Sequence, residues 1–185
     1  MSDQTDTHAQ EREKWRTIVR LRPTDIVRPG PGQESVWDYP RPPRVEPVAA
    51  HVRVEFEGRT LADTGRALRV CETSSPPVYY IPQADIDMAY LEPSPRTSFC
   101  EWKGVAAYWS VRVGQRYAKD AAWSYPAPDA GFEVLRDWIA FYPRRMDACW
   151  VGEQRVTPQP GFYYGGWVTP DLVGPFKGSP GSEGW

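Results

Sequence analysis

The chain has 185 residues, which is enough for one domain with a proper core and short for two. Its 20 prolines and 15 glycines predict many short elements separated by turns, in a globular composition that is 41% hydrophobic and 14% aromatic. The net charge of −2 supplies no general positive field, so nucleic acid is not the expected partner.

The cysteines and the N-terminal segment indicate the compartment. Cys71, Cys100 and Cys149 are widely spaced and odd in number, which favours reduced thiols in a cytoplasm. The opening stretch, MSDQTDTHAQEREKW, is polar and charged where a secretory leader is apolar, and no apolar stretch reaches spanning length. We therefore expect a soluble cytoplasmic protein with no membrane partner.

Residues 1–35 predict an arm and a linker ahead of the folded domain. A short amphipathic helix is expected over residues 7–20, capped at Asp6 or Thr7. The apolar residues that lie at helical spacing among the charges are Trp15, Ile18 and Val19. The following RPGPGQES segment, residues 28–35, cannot sustain a helix or a strand. A single domain is then expected over residues 36–185.

The rest of the chain predicts a mainly antiparallel β domain. Residues 51–57 alternate strictly, and Glu57-Gly58 turns the chain into residues 59–62, which predicts a hairpin. Further strands are predicted over 67–72, 78–81, 97–102, 106–113, 117–123 and 139–142. Short helices are predicted over 82–90 and 129–138, and the tail from Gly161 is expected to be irregular. These strands exceed one ordinary sheet, so we expect a barrel-like sheet that closes on itself.

Several stretches, in order, resemble a known family. They are WDYPRPPRVE, ALRVCETSSPPVYYIP, TSFCEWKGVAAYWSV, AAWSYP and GWVTPDLVGPFKGSPG. These stretches are similar to domain-of-unknown-function family 427, which also carries a nucleotidyltransferase label. The resemblance implies a compact β-tent of the Mss4-like kind, and it makes the C-x-x-K-G element at residues 100–104 a signature of the family.

Families related to this fold hold a structural zinc through paired C-x-x-C knuckles, and this chain lacks them. It has CEWK at Cys100 and CWVG at Cys149 instead, whereas zinc requires four soft ligands close together. His51 and the three cysteines could in principle converge, but free cysteines are most often small buried hydrophobes. We expect no metal and no cofactor.

A nucleotidyltransferase activity would require residues that bind a metal ion and phosphate. Nucleotidyl transfer normally requires carboxylates that hold Mg²⁺ and a loop that cradles phosphate. Asp85 and Asp87, in DID, come closest to such a pair, but no Gly-rich phosphate loop accompanies them. The GPFKGSPG segment around Lys177 is explained equally well by a tail that wraps the surface.

The segment TSFCEWKGVAAYW, residues 97–109, contains the first candidate site. As an extended strand it places Cys100 and Lys103 on opposite faces unless the chain bulges, which is easiest at Gly104. A lysine on a strand is more often solvated. If Lys103 points inward instead, desolvation lowers its pKa, and the amine would hold an anionic or carbonyl ligand or act as a base or nucleophile.

Glu72 is the second candidate, because it begins a run of hydroxyls and phenols, ETSSPPVYY. Facing Lys103, it would form an acid–base pair with separated pKa values. A capping and turn cluster explains the same residues equally well. A histidine-based triad is excluded, because the two histidines are His8 in the arm and His51 on the first predicted strand.

Aromatic residues are the third feature, and a minority of them exposed in a concavity would make a flat pocket for a planar ligand. We therefore expect a cleft that binds a small polar or aromatic metabolite, with catalysis by Lys103, Glu72 and Cys100. Its ligand-binding residues are Tyr80, Tyr108, Trp123 and Tyr125. The rival hypothesis is a non-catalytic module that holds a protein partner through the N-terminal helix or the aromatic tail.

Overall fold

The structure, a computed structural model, describes residues 2–185 of the chain and the side chains from His8 onward. One α-helix, α1 (Ser2–Thr17), precedes the strands. Asp6 and Thr7 lie inside α1, so neither caps it, and the exposed Ile18 and Val19 lie beyond its end. The helix therefore begins and ends a few residues earlier than predicted. Within residues 2–185, no helix has both the length and the apolar character needed to cross a bilayer.

Fifteen strands follow in the described chain, numbered in chain order. They are β1 (Glu34–Ser35), β2 (Arg44–Pro47), β3 (Val52–Phe56), β4 (Arg59–Thr64), β5 (Leu68–Glu72), β6 (Ser75–Ile81), β7 (Leu91–Cys100), β8 (Gly104–Val113), β9 (Arg116–Ser124), β10 (Ile139–Phe141), β11 (Ala148–Val151), β12 (Gln154–Arg155), β13 (Thr157–Pro158), β14 (Trp167–Val168) and β15 (Leu172–Val173). Single 3-10 turns lie at Val36–Asp38, Gln83–Asp85, Met88–Tyr90, Glu133–Leu135 and Pro143–Arg145. The prediction of a mainly β, antiparallel protein is confirmed.

The structure confirms one predicted hairpin, replaces two predicted helices by shorter turns, and contains strands that were not predicted. The β3–β4 hairpin turns at Glu57-Gly58 as predicted, and both turn residues have a positive φ. In place of the two predicted helices the chain forms 3-10 turns of three residues each. Strands β2 and β11 were missed. Strand β2 contains Pro47, which a sheet tolerates because β2 is an edge strand.

Two antiparallel sheets dominate the domain. One has seven strands in the order β2-β5-β6-β10-β9-β8-β7, and the other has four in the order β12-β11-β3-β4. Their facing sides enclose the largest apolar cluster, to which Val54, Phe56, Ile81, Ile139 and Phe141 contribute. The expected closure is wrong for the described residues, since the larger sheet ends at β2 and β7 and forms no closed barrel.

The seven-stranded sheet buries apolar side chains on both faces. Along β6, Tyr79 and Ile81 join the cluster between the sheets, while Tyr80 points to the opposite face. Strand β10 repeats this arrangement, with Ala140 on the opposite face from its two neighbours. The second face therefore carries an aromatic cluster of its own.

The arm and the tail run together along the domain. The backbone amide of Leu21 donates to the carbonyl of Gly184 at 2.9 Å, and that of Val27 donates to Gly174 at 2.9 Å. Strand β1, which ends the predicted linker, pairs in parallel with β15. The predicted boundary at Val36 therefore lies just after residues that already pair with the tail.

We predict that a chain lacking residues 1–28 still unfolds cooperatively. The deletion removes α1 and the two backbone hydrogen bonds above, but it leaves both large sheets and the β1–β15 pair intact. Thermal unfolding followed by circular dichroism measures this. A broad transition without cooperativity would show that the arm is part of the core.

Candidate functional site

A cavity of about 470 Å³ lies against the face of the seven-stranded sheet that carries the second aromatic cluster. Strands β5 to β9 supply its floor, and the arm and the tail supply walls. All seven predicted site residues line this one cavity: Glu72, Tyr80, Cys100, Lys103, Tyr108, Trp123 and Tyr125. The structure thus brings together residues that are up to 53 positions apart in the sequence, from Glu72 to Tyr125.

The segment TSFCEWKGVAAYW is a hairpin and not one continuous strand. Strand β7 ends at Cys100, β8 starts at Gly104, and these two residues pair across a three-residue turn. Gly104 has a φ of +88°, a conformation that closes a short hairpin and that glycine adopts without steric cost. The turn re-aims Lys103, so its side chain and that of Cys100 both face the cavity. The expectation of opposite faces is wrong for this reason.

A neighbouring loop holds this turn in place. The backbone amide of Asp129 donates to the carbonyl of Lys103 at 3.1 Å. A Cβ on Gly104 would lie 3.0 Å from Asp129 Oδ1, so the loop approaches the glycine too closely for a side chain. Arg12 of α1 forms an ion pair with the same carboxylate at 2.5 Å.

The Lys103 ammonium is buried among aromatic rings and polar groups. The residue is only 8% exposed, and Nζ lies 5.8 Å from the ring centroid of Tyr125 and 5.9 Å from that of Phe132. Among the side chains from His8 onward, no carboxylate lies within ion-pair distance of it. Aromatic rings and polar groups therefore surround the positive charge of Lys103.

The expectation of a lowered pKa for Lys103 is wrong. Burial by itself lowers the pKa of the ammonium, but Cys100, Tyr80 and Glu72 together raise it above its ordinary value. Lys103 therefore stays protonated throughout the physiological range. This property suits an anchor for a negative charge better than a proton acceptor.

Buried phenols surround this cation. Trp123 Nε1 donates to Tyr80 Oη at 3.3 Å, and burial raises the pKa of Tyr80 to about 12. Burial also raises the pKa of Tyr125 well above its ordinary value. Both hydroxyls therefore stay neutral and remain able to donate a hydrogen bond.

Glu72 lies on the cavity wall in a different pair from the one expected. Its Oε1 accepts from Arg41 Nη2 at 2.6 Å and from Arg41 Nε at 3.1 Å. Glu72 thus shares the cavity with Lys103 without forming an ion pair with it. The guanidinium competes for the carboxylate that acid–base chemistry with Lys103 would use.

The C-terminal tail supplies a second lysine. Lys177 lines the cavity, and its Nζ lies 5.5 Å from the ring centroid of Tyr164. The 2% exposed Gln159 fixes this part of the tail, because its Nε2 donates to the carbonyl of Lys177 at 2.8 Å while its Oε1 accepts from the amide of Gly166 at 3.0 Å. One buried amide therefore joins two segments of the cavity wall.

The N-terminal arm closes another side. Glu11, Trp15 and Arg20 line the cavity, and Arg20 Nη2 lies 3.8 Å from Glu101 Oε1. The His8 ring stacks on Phe99 with centroids 4.3 Å apart. The arm therefore touches the β7–β8 hairpin and the cavity that it borders.

The predicted site left out the wall residues that lie outside the strands of the floor. Those that carry polar groups include Glu11 and Arg20 of the arm, Tyr142 after β10, and Gln159, Tyr163, Tyr164 and Lys177 at the C-terminal end of the chain. One signal was available for Lys177. The chain has only four lysines, and two of them line this cavity. No local pattern marks Arg20 or Gln159, whose positions depend on chain segments far apart in sequence.

The residues weighed for metal or nucleotidyl chemistry lie apart from one another. Cys71, Cys100 and Cys149 belong to or pack against three separate apolar clusters. Asp85 is paired with Arg66 at 2.6 Å, and Asp87 accepts from the Ala89 amide at the start of a 3-10 turn. Among the side chains that the structure describes, no group of three or more His, Cys, Asp or Glu is placed to hold a metal ion.

Comparison with known proteins places the sequence in a family. The model of a family described as "Domain of unknown function (DUF427)" matches residues 44–152, which is more than half of the chain. The chain belongs to the DUF427 family. The matched segment of this DUF427 protein contains all seven predicted site residues and ends before Gln159 and Lys177. No curated protein matches the chain.

We predict that Gly104→Ala destabilises the domain more than Gly114→Ala does. Both glycines have a positive φ in a hairpin turn, at +88° and +56°, but a Cβ at Gly114 meets nothing within 4 Å. The left-handed conformation alone costs about 1–2 kcal/mol with a side chain. Urea denaturation measures both variants, and an equal loss would show that Asp129 moves aside freely.

We also predict that the purified protein contains no stoichiometric zinc, because the C-x-x-K and C-x-x-G elements lack a second cysteine. Elemental analysis after dialysis measures the metal content. One zinc per chain would contradict the prediction.

Proposed function

We propose that this domain binds a small anionic ligand with a planar ring in the cavity beside Lys103. The observation that carries the proposal is a buried ammonium, 8% exposed, that faces a cavity and has no carboxylate partner among the described side chains. The raised pKa keeps this ammonium charged at neutral pH, and a ligand's anionic group would pair with it.

The size and lining of the cavity support a small molecule. About 470 Å³ lies within the range of ordinary ligand sites, which are mostly apolar with a few polar groups that fix orientation. Trp123 and Tyr142 offer adjoining rings with centroids 4.5 Å apart, against which a planar group would pack. Tyr80 and Tyr125 would donate hydrogen bonds to it.

Acid–base chemistry by Glu72 and Lys103 remains a less favoured form of this proposal. Lys103 has a raised pKa, and Glu72 is held by Arg41. Cys100 lines the cavity as a half-buried free thiol, and it supports the proposal as part of the wall. Nucleotidyl transfer has weaker support still, because Asp85 and Asp87 are engaged elsewhere.

The rival proposal, an interaction module, rests on exposed apolar side chains of the arm and tail. Val19 is 90% and Phe162 88% exposed. Single exposed apolar residues are common on soluble proteins, so they weigh less than a cavity with a buried cation. The three free thiols support a reducing compartment, and we propose the cytoplasm.

We predict that phenyl phosphate binds and that phenol binds far more weakly, because only the first can pair with Lys103. Lys103→Met should weaken binding of phenyl phosphate about tenfold to hundredfold, the equivalent of one charge-assisted hydrogen bond. The variant should still unfold cooperatively, since methionine is a side chain of similar length that can pack against the same rings. Isothermal titration calorimetry and a thermal melt measure the two effects.

Lys119→Met is the matched control, because Lys119 is exposed on β9. It should bind phenyl phosphate like the unchanged protein. Equal binding of phenol and phenyl phosphate, or unchanged binding by Lys103→Met, would overturn the proposed function. Unfolding of Lys103→Met would show that the lysine is a structural partner instead.

A further inference from the structure

The two cavity lysines differ in their surroundings. Lys103 sits on the floor within a β-hairpin turn, whereas Lys177 is half-buried and lies on the tail that forms a wall. Neither forms an ion pair with a carboxylate among the side chains from His8 onward. Two amines without carboxylate partners therefore face the same small cavity.

The charged groups around Lys177 oppose its protonation. Burial lowers the pKa of the Lys177 ammonium to about 8, and the positive charges of Arg20 and Arg41 act in the same direction. Glu72 and Glu101 act in the opposite direction but are engaged by these two arginines. Near neutral pH Lys177 therefore has a larger minority of free amine than an ordinary lysine, whose pKa near 10.4 leaves it almost fully protonated.

The position of Lys177 is fixed by its own backbone contacts. Its amide donates to the carbonyl of Ser74 at 2.8 Å, and its carbonyl accepts from the buried Gln159. A nucleophile is most effective when it is held against the reacting group. These contacts fix the backbone at Lys177, and its side chain lines the cavity beside the ring of Tyr164.

We propose that Lys177 is a nucleophile that condenses reversibly with a small aldehyde or ketone whose anionic group is held by Lys103. The inference rests on the proposed function, because Lys103 supplies the anchor. The free nitrogen of Lys177 attacks the carbonyl carbon and forms a C–N bond. The two hydrogens of the amine pass to the carbonyl oxygen, the C–O bond breaks, and the oxygen leaves as water, so that the product is a C=N imine. The step needs neither an oxidant nor a reductant.

The probe is pyridoxal 5′-phosphate, a planar aldehyde with a phosphate, followed by borohydride, which adds hydride to the imine carbon and makes the link permanent. Mass spectrometry of peptides then measures the modification at each of the four lysines. We expect at least about tenfold more modification at Lys177 than at the exposed Lys14 and Lys119 at pH 7, since more of its amine is neutral. The initial rate at Lys177 should rise with pH and level off above about pH 9, because deprotonation is then nearly complete.

Three matched changes test the assignment. Lys177→Arg keeps the positive charge but cannot form an imine, so it should remove the labelling while its melting temperature stays unchanged. Lys103→Met should reduce labelling at Lys177 by about tenfold or more, because the phosphate loses its anchor. 5-Deoxypyridoxal, which lacks the phosphate and cannot mask its aldehyde as an internal hemiacetal, should label Lys177 of the unchanged protein about as poorly as pyridoxal 5′-phosphate labels Lys103→Met.

The outcomes separate this inference from the proposed function. If phenyl phosphate binds but the four lysines are labelled evenly, the nucleophile is wrong and the anion site stands. Even labelling without binding of phenyl phosphate would overturn both. Labelling concentrated at Lys103 would also overturn the inference, because it would exchange the roles of anchor and nucleophile.

Discussion

The burial of apolar side chains on both faces of the seven-stranded sheet is the constraint on which the rest of the structure depends. One face is covered by the four-stranded sheet, and together they enclose the main core. The other face carries an aromatic cluster of its own. The hairpin turn, the loop around Asp129, the arm and the tail gather over this cluster, and a cavity forms where their cover is incomplete.

This arrangement buries a positive charge that has no carboxylate partner among the described side chains. The Lys103 ammonium lies among Tyr125, Phe132 and neutral phenols, and ring faces stabilise a cation only modestly. Its burial is better understood as preparation for an anionic partner, since a preorganised cation needs no reorganisation when the ligand binds.

The floor and the walls of the cavity have different origins in the chain. The floor residues lie within 44–152, the part that matches the DUF427 family, whereas Arg20, Gln159 and Lys177 lie outside it. Gln159 and the arm–tail backbone hydrogen bonds hold these outer segments against the floor. The anchor and the proposed nucleophile therefore come from separate parts of the chain, and their relative position depends on how the tail packs.

The sequence by itself determined the β class, the hairpin at Glu57-Gly58 and most of the cavity floor. These features depend on the alternation of apolar and polar residues, on turn residues and on local runs of aromatic residues, all of which can be recognised in short stretches of sequence. Only the tertiary structure decided that Cys100 and Lys103 face the same way, because a turn closed by Gly104 replaces the strand that alternation suggests. The tertiary structure alone also pairs Glu72 with Arg41 and places Lys177 at the cavity. These contacts join segments that are far apart in the sequence, so no local sequence pattern predicts them.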